Sequence, residues 1–318
     1  MSAIRVRVLP RKREKSGNER QRPGANNTLL ITAFLLPGML VFVLFLLWPI
    51  TQSLPLSLYK WNGLGPLTEF IGGDNYTRLF NDSIFQESVK HSFLIMSLSL
   101  IIQLPLALGL ALILGRGDLW GRRIFRAVLF VPYIFSEIIA ALIWLYVWKP
   151  VNGLANVALG SLIPDFTPIS WLADRQIVLF GIFAVITWKY VGFHMILYMA
   201  GLQNIPKDLE EAARVDGATE RHVLQYITLP LLGSTIRLTV FLSVLGSFQQ
   251  FVIIQVMTLG GPANASQVIA TYLYKVGIQQ FQLGFGSAIA VILFAITLVF
   301  SIGYQRIVLR RDYSPEAI

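Results

Sequence analysis

Gln103, Glu137, Lys189, Gln249 and Gln250 each stand inside a long run that is otherwise nearly free of charge. An ionisable group in a bilayer costs about 2.5–3.5 kcal/mol on insertion scales, so such side chains face a partner or a wet cavity. Amide and charged groups can hydrogen-bond hydroxyls. The nearby rings of Trp144, Tyr146, Trp188, Tyr190, His194 and Phe248 can cover the apolar face of a sugar. The same residues support blander readings. Glu137 and Lys189 could form an ion pair that only holds two helices together, with the aromatic rings packed against lipid, or they could relay protons in a gradient-driven carrier. Residue types alone leave these alternatives open.

Other chemistries are excluded by what is missing. With no cysteine, the chain has no disulfide, thiolate nucleophile or cysteine-based metal site. No Gly-x-x-x-x-Gly-Lys-Ser/Thr loop occurs, so ATP cannot be held in the phosphate-loop manner. His91, His194 and His222 lie on different segments without a His-Glu-x-x-His pattern, which argues against a metal or hydrolytic site. No catalytic role is expected for any residue.

The elements that must position the polar set are membrane helices. The chain is 55% hydrophobic and 14% charged, and its mean hydropathy is +0.62, which places it among all-α membrane proteins. Six spans are expected at about 29–50, 92–114, 127–148, 177–201, 238–257 and 284–304. They make one membrane domain of residues 29–305, between a basic tail of residues 1–28 and a tail of residues 306–318. The first apolar run is too long for a signal-peptide core and no small-residue cleavage site follows it, so it reads as a retained helix. Residues 51–90 read as an irregular polar segment with turns at Asn62-Gly63 and Gly72-Gly73-Asp74. Pro37, Pro105 and Pro132 fall inside spans, where they bend helices. At about 1.5 Å per residue, Glu137 and Lys189 come out near the bilayer midplane, with Gln103, Gln249 and Gln250 at similar depth.

Charge placement gives orientation. The formal charge is +9, but it is gathered in tails and turns rather than on a nucleic-acid-binding face. Eighteen of the 26 lysines and arginines fall on the side of both tails, the 115–126 turn and the 202–232 loop. The opposite loops hold six: Lys60, Arg78, Lys90, Lys149, Arg175 and Lys275. By the positive-inside rule both termini and the 202–232 loop are cytoplasmic.

That loop is the most informative stretch. Pro206 opens a helix whose first turn carries Asp208, Glu210 and Glu211, where acids offset the positive end of the helix dipole. Leu209, Ala212, Ala213 and Val215 give an apolar stripe. Asp216-Gly217 turns the chain. Asp216 or Thr219 then caps a second helix from about Glu220 to Tyr226, expected to end before Pro230.

The pattern Glu211-Ala212-Ala213, Asp216-Gly217 and Ile227-Thr228-Leu229-Pro230 resembles the EAA loop of permease subunits in binding-protein-dependent ABC importers. Gln203-Asn204-Ile205-Pro206, Ser136-Glu137, and Phe248-Gln249-Gln250-Phe251 with Met257-Thr258-Leu259-Gly260-Gly261-Pro262 resemble the carbohydrate branch, in particular the maltose- or glycerol-phosphate-type first permease. The similarity runs from Pro37 to the sixth span. It implies the type I permease fold of six transmembrane helices with a cytoplasmic coupling helix, in a bacterial or archaeal cytoplasmic membrane. It also implies alternating-access import of a sugar or related polyol or glycerol phosphate.

The implied partners are a second related permease, two ATPase subunits that hold ATP and magnesium, and an extracytoplasmic solute-binding protein. The resemblance assigns Glu211, Ala212, Ala213, Asp216, Gly217, Ile227, Leu229 and Pro230 to ATPase coupling. The candidate pathway residues are Gln103, Glu137, Trp144, Lys189, Tyr190, His194, Phe248, Gln249 and Gln250. The long extra domain that some maltose permeases carry in the first loop is absent.

Overall fold

The computed structural model describes residues 25–116 and 120–308. Most of the expected basic tail, with Arg310 and Arg311, lies outside the described residues. The described residues form two units, one ending at Gln52 and one starting at Ser53.

In the first unit, helix α1 (Ala25–Phe42) passes through a π-helical turn, Val43–Leu47, into α2 (Trp48–Leu56), whose last residues belong to the second unit. The side chains of residues 29–51 are all exposed, as suits a helix that is apolar on every face and solvated by lipid. The helix runs past the expected end at residue 50.

The first helix wholly within the second unit is α3 (Asp74–Asn81), inside the segment expected to be irregular. Asp82 caps the next helix: its side chain accepts from the backbone N–H groups of Ile84 and Phe85, so the second span starts at Ser83, nine residues earlier than residue 92. That span comprises α4 (Ser83–Leu98), a π-helical turn Ser99–Gln103 and α5 (Leu104–Arg116). The third is broken into α6 (Arg122–Ile134) and α7 (Glu137–Val147), which meet at 105°. A short α8 (Leu154–Leu162) precedes the fourth span, α9 (Val178–Gln203).

Beyond it come α10 (Lys207–Val215), α11 (Glu220–Val223), a π-helical turn Leu224–Thr228 and α12 (Leu229–Leu231). The next helices are α13 (Gly233–Phe248), α14 (Val252–Thr258) and α15 (Ile269–Leu273). A π-helical turn Tyr274–Gln279 then leads to α16 (Leu283–Ile307). Among the described residues four helices are individually long and apolar enough to cross a membrane, and counting each of two bent pairs as one span gives up to six.

Helix α9 is the hub. Val185, Val191, Met195 and Tyr198 are buried, on a helix that is apolar almost all round. In lipid, apolar area gives little drive for helices to associate, so close backbone approach matters more. At Gly192 a Cβ would sit 2.0 Å from the Leu129 carbonyl oxygen, so only glycine lets α9 lie this close to α6.

Two breaks depart from the continuous spans expected. In the third, Pro132 stands near the end of α6, Phe135 is extended (ψ 145°), and Ser136 restarts the helix by accepting from the Ile139 N–H at 3.3 Å. In the fifth, α13 ends at Phe248 and α14 starts only at Val252, so Gln249 and Gln250 lie in a non-helical link.

Candidate functional site

The breaks and the π-helical turn converge on one cavity of about 280 Å³. Gln103, Glu137, Tyr190, His194, Gln249 and Gln250 all line it. Each reaches it for a local reason. The π turn Ser99–Gln103 carries Ser99 and Gln103, four residues apart and on one face, to the wall. Glu137 is the first residue of α7, so the positive end of that helix dipole offsets its carboxylate. Tyr190 donates its hydroxyl to Glu137 Oε1. Gln249 closes α13, its N–H donating to the Leu245 carbonyl at 3.2 Å, and the break that follows takes Gln250 off the helix.

Four buried polar atoms on this wall have no hydrogen-bond partner among the described residues: Gln103 Oε1, His194 Nδ1, Ser243 Oγ and Gln250 Oε1. Buried polar groups are nearly always paired, so such a cluster marks a place where something else supplies the bonds. Aromatic faces complete the wall. Tyr133 lies stacked on Phe193, with ring centroids 4.6 Å apart, and both line the cavity.

Three expected pathway residues lie elsewhere. Lys189 is 4% exposed and neither lines the cavity nor forms a salt bridge with Glu137. Its Nζ donates to the carbonyl oxygens of Phe135 (2.5 Å) and Tyr133 (3.3 Å), which the end of α6 leaves free. Glu137 and Lys189 are thus not in ion-pair contact, although Glu137 still acts on the ammonium electrostatically. Trp144 packs against Trp148 and Trp188, at centroid distances of 4.8 and 5.7 Å. Phe248 is buried and sits edge-on to Phe93 at 5.2 Å. Ser99, Tyr133, Phe193, Ser243 and Ser247 line the cavity without having been singled out. The spacing of four between Ser243 and Ser247, like that between Ser99 and Gln103, was the available signal.

The 202–232 loop folds into an elbow. Helix α10 ends in paired reverse hydrogen bonds: Ala218 N–H donates to the Ala213 carbonyl (2.9 Å) and Gly217 N–H to that of Arg214 (3.1 Å). Gly217 has φ +86°, with open space around a would-be Cβ, so the need for glycine here is conformational rather than steric. Asp216 closes α10 and does not cap the next helix. Thr219 does, through the His222 N–H. The second helix does not stop before Pro230, because the π-helical turn Leu224–Thr228 leads into α12, which contains the proline.

Glu210 and Thr228 lock the elbow from inside. Glu210 is 6% exposed and accepts from the Thr228 hydroxyl at 2.9 Å. Arg214 Nε donates to Glu220 Oε1 at 2.6 Å across the corner, and that hydrogen bond raises the guanidinium pKa above its ordinary value. The outer face is left apolar: Leu209 is 48% and Val215 86% exposed, while Glu211, Ala212, Asp216 and Pro230 are also exposed and Ala213, Ile227 and Leu229 half-buried.

Residues 103–313 match the family described as the binding-protein-dependent transport system inner membrane component. The probable ABC transporter permease YurN of Bacillus subtilis is 34% identical, over 87% of this chain and 94% of that protein. The diacetylchitobiose uptake system permease NgcF of Streptomyces coelicolor is 32% identical, over 85% of this chain and 79% of that protein. A chain of a bacterial ABC transporter involved in import of the acidic polysaccharide alginate superposes with a TM-score of 0.76 at 26% identity, covering 89% of this chain and 97% of its own.

Proposed function

Because the chain belongs to the family of inner-membrane components of binding-protein-dependent transport systems, and is thereby a multi-pass permease subunit of an ABC importer and not an enzyme, we propose that it carries a saccharide through the cavity beside Glu137 by alternating access. The cluster of unpartnered polar atoms among aromatic rings carries this reading. Amide and hydroxyl groups bond sugar hydroxyls while the faces of Tyr133 and Phe193 cover the ring. The diacetylchitobiose and alginate systems among the similar proteins support the carbohydrate class.

The exposed face of α10 supports an assignment of the elbow to a cleft of an ATPase subunit. Val215, Leu209 and Ala212 would bury there, Glu211 would make a polar contact, and Asp216 with Gly217 would hold the corner. Ala213, Ile227, Leu229 and Pro230 would keep the two arms in register. Both termini and the elbow lie in the cytoplasm on this account, following the bias of lysine and arginine. The complete importer pairs this chain with a second permease, two ATPase subunits that bind ATP and magnesium, and a solute-binding protein outside.

Uptake by vesicles containing the complete importer tests the proposal. Di- or oligosaccharide uptake should require ATP and persist when the proton gradient is collapsed at constant ATP. Prompt arrest on collapse of the gradient would favour a Glu137-based carrier instead.

A further inference from the structure

The wall of the cavity has a charge, and that charge constrains the cargo. Among the described residues that line the cavity, Glu137 brings a carboxylate and none is a lysine or arginine. The nearby cation, Lys189, acts on Glu137 through space but does not itself line the cavity. Its Nζ is held by two backbone carbonyls and lies over the rings of Tyr133 (5.8 Å) and Tyr190 (5.4 Å), which themselves form part of the wall.

Two amide oxygens without a partner among the described residues, Gln103 Oε1 and Gln250 Oε1, accept hydrogen bonds, while Ser243 Oγ and His194 Nδ1 can accept or donate. The acceptors beside Glu137 suit a cargo that donates. Sugar hydroxyls donate, an ammonium group donates more strongly, and a carboxylate or sulfonate donates nothing.

Resting on the sugar reading above, we propose that Glu137 makes this permease a charge filter: it passes neutral or amino-bearing saccharides and excludes anionic ones. The inference sets this chain apart from the alginate importer, whose cargo is acidic although the fold is shared. A like charge about 6 Å from Glu137, at an effective dielectric of about 20, corresponds to roughly 100-fold weaker binding.

The test uses the membrane complex of this chain with its natural permease and ATPase partners, and three probe sets of two to four units: neutral hexose, hexosamine and hexuronic acid oligosaccharides. Equilibrium dialysis should show the neutral and amino probes binding roughly 10- to 100-fold more tightly than the acidic ones. Glu137→Gln, which retains an oxygen for the Tyr190 hydroxyl, should narrow the neutral-to-acidic ratio about tenfold. Gln249→Lys, at an exposed position on the same wall, should narrow it independently.

Acidic probes that bind as tightly as neutral ones to the unsubstituted complex would overturn the charge filter and leave the sugar reading standing. So would a ratio that neither substitution changes. No binding of any probe would overturn both.

Discussion

Lys189 Nζ and the carbonyl oxygen of Phe135 lie 2.5 Å apart at the break in the third span. Helix α6 ends at Ile134, partway through the broken third span, and its last carbonyls have no helical partner. A buried ammonium supplies the missing donors. This explains how a lysine can sit 4% exposed within a span without lining the cavity. It also explains how the chain bends by 105° where Ser136 and Glu137 begin a new helix.

Replacing Lys189 with Met should strand both carbonyls. Leaving a buried acceptor unsatisfied costs about 1–3 kcal/mol per group. The expected result is a lower melting temperature of the detergent-solubilised protein and slower uptake, with uptake still indifferent to the proton gradient. A proton relay through Lys189 predicts instead an unchanged melting temperature and loss of gradient-driven transport.

Glu210 and Thr228 give a second prediction. Glu210→Ala removes one hydrogen bond of the buried Thr228 hydroxyl and loosens the elbow, whereas Glu210→Gln keeps an oxygen in place. ATP hydrolysis by the assembled importer should continue in Glu210→Ala while uptake per ATP falls severalfold. Glu210→Gln should retain most of the coupling. The ratio of sugar accumulated to ATP hydrolysed in proteoliposomes separates the two.

The corner itself is tested by Gly217→Asp and Glu211→Lys. At φ +86° any side chain is strained, at about 1–2 kcal/mol for an ordinary residue and somewhat less for Asp. The larger effect should fall on coupling, because the paired hydrogen bonds that end α10 depend on that backbone geometry. Both variants should reach the membrane in normal amounts, by immunoblot, and fail to support uptake.

Much of this was legible from residue types. Long charge-poor runs announced the spans, and the spacing from Glu211 through Gly217 to Pro230 announced the elbow. Depth counting brought Gln103, Glu137, Gln249 and Gln250 to one layer, and the structure places all four on one cavity. What was not legible were the helix breaks. Pro132 signals a bend but not a full break, and Ser136 and the glutamine pair read equally well as residues of continuous helices, because periodicity does not register a break that tertiary partners stabilise. Lys189 was misread for that reason: an ionisable residue in a span suggests an opposite charge, whereas its partners are carbonyls exposed by a break that hydropathy does not reveal. Glu210 was passed over because a glutamate in a first turn already has a sufficient reason to be there, and its bond to Thr228 depends on how the loop doubles back.

The central claim is that the elbow between α9 and α13 meets the ATPase. The chain has no cysteine, so Val215→Cys, at an 86%-exposed position on α10, introduces a single thiol. Attaching a photoreactive group to that thiol in the assembled importer, irradiating, and identifying the cross-linked partner by mass spectrometry is the direct test. The account predicts a product with the ATPase subunit, in a yield that changes when nucleotide is added. Labelling of the same thiol by a membrane-impermeant reagent applied outside intact cells, with no ATPase cross-link, would contradict it.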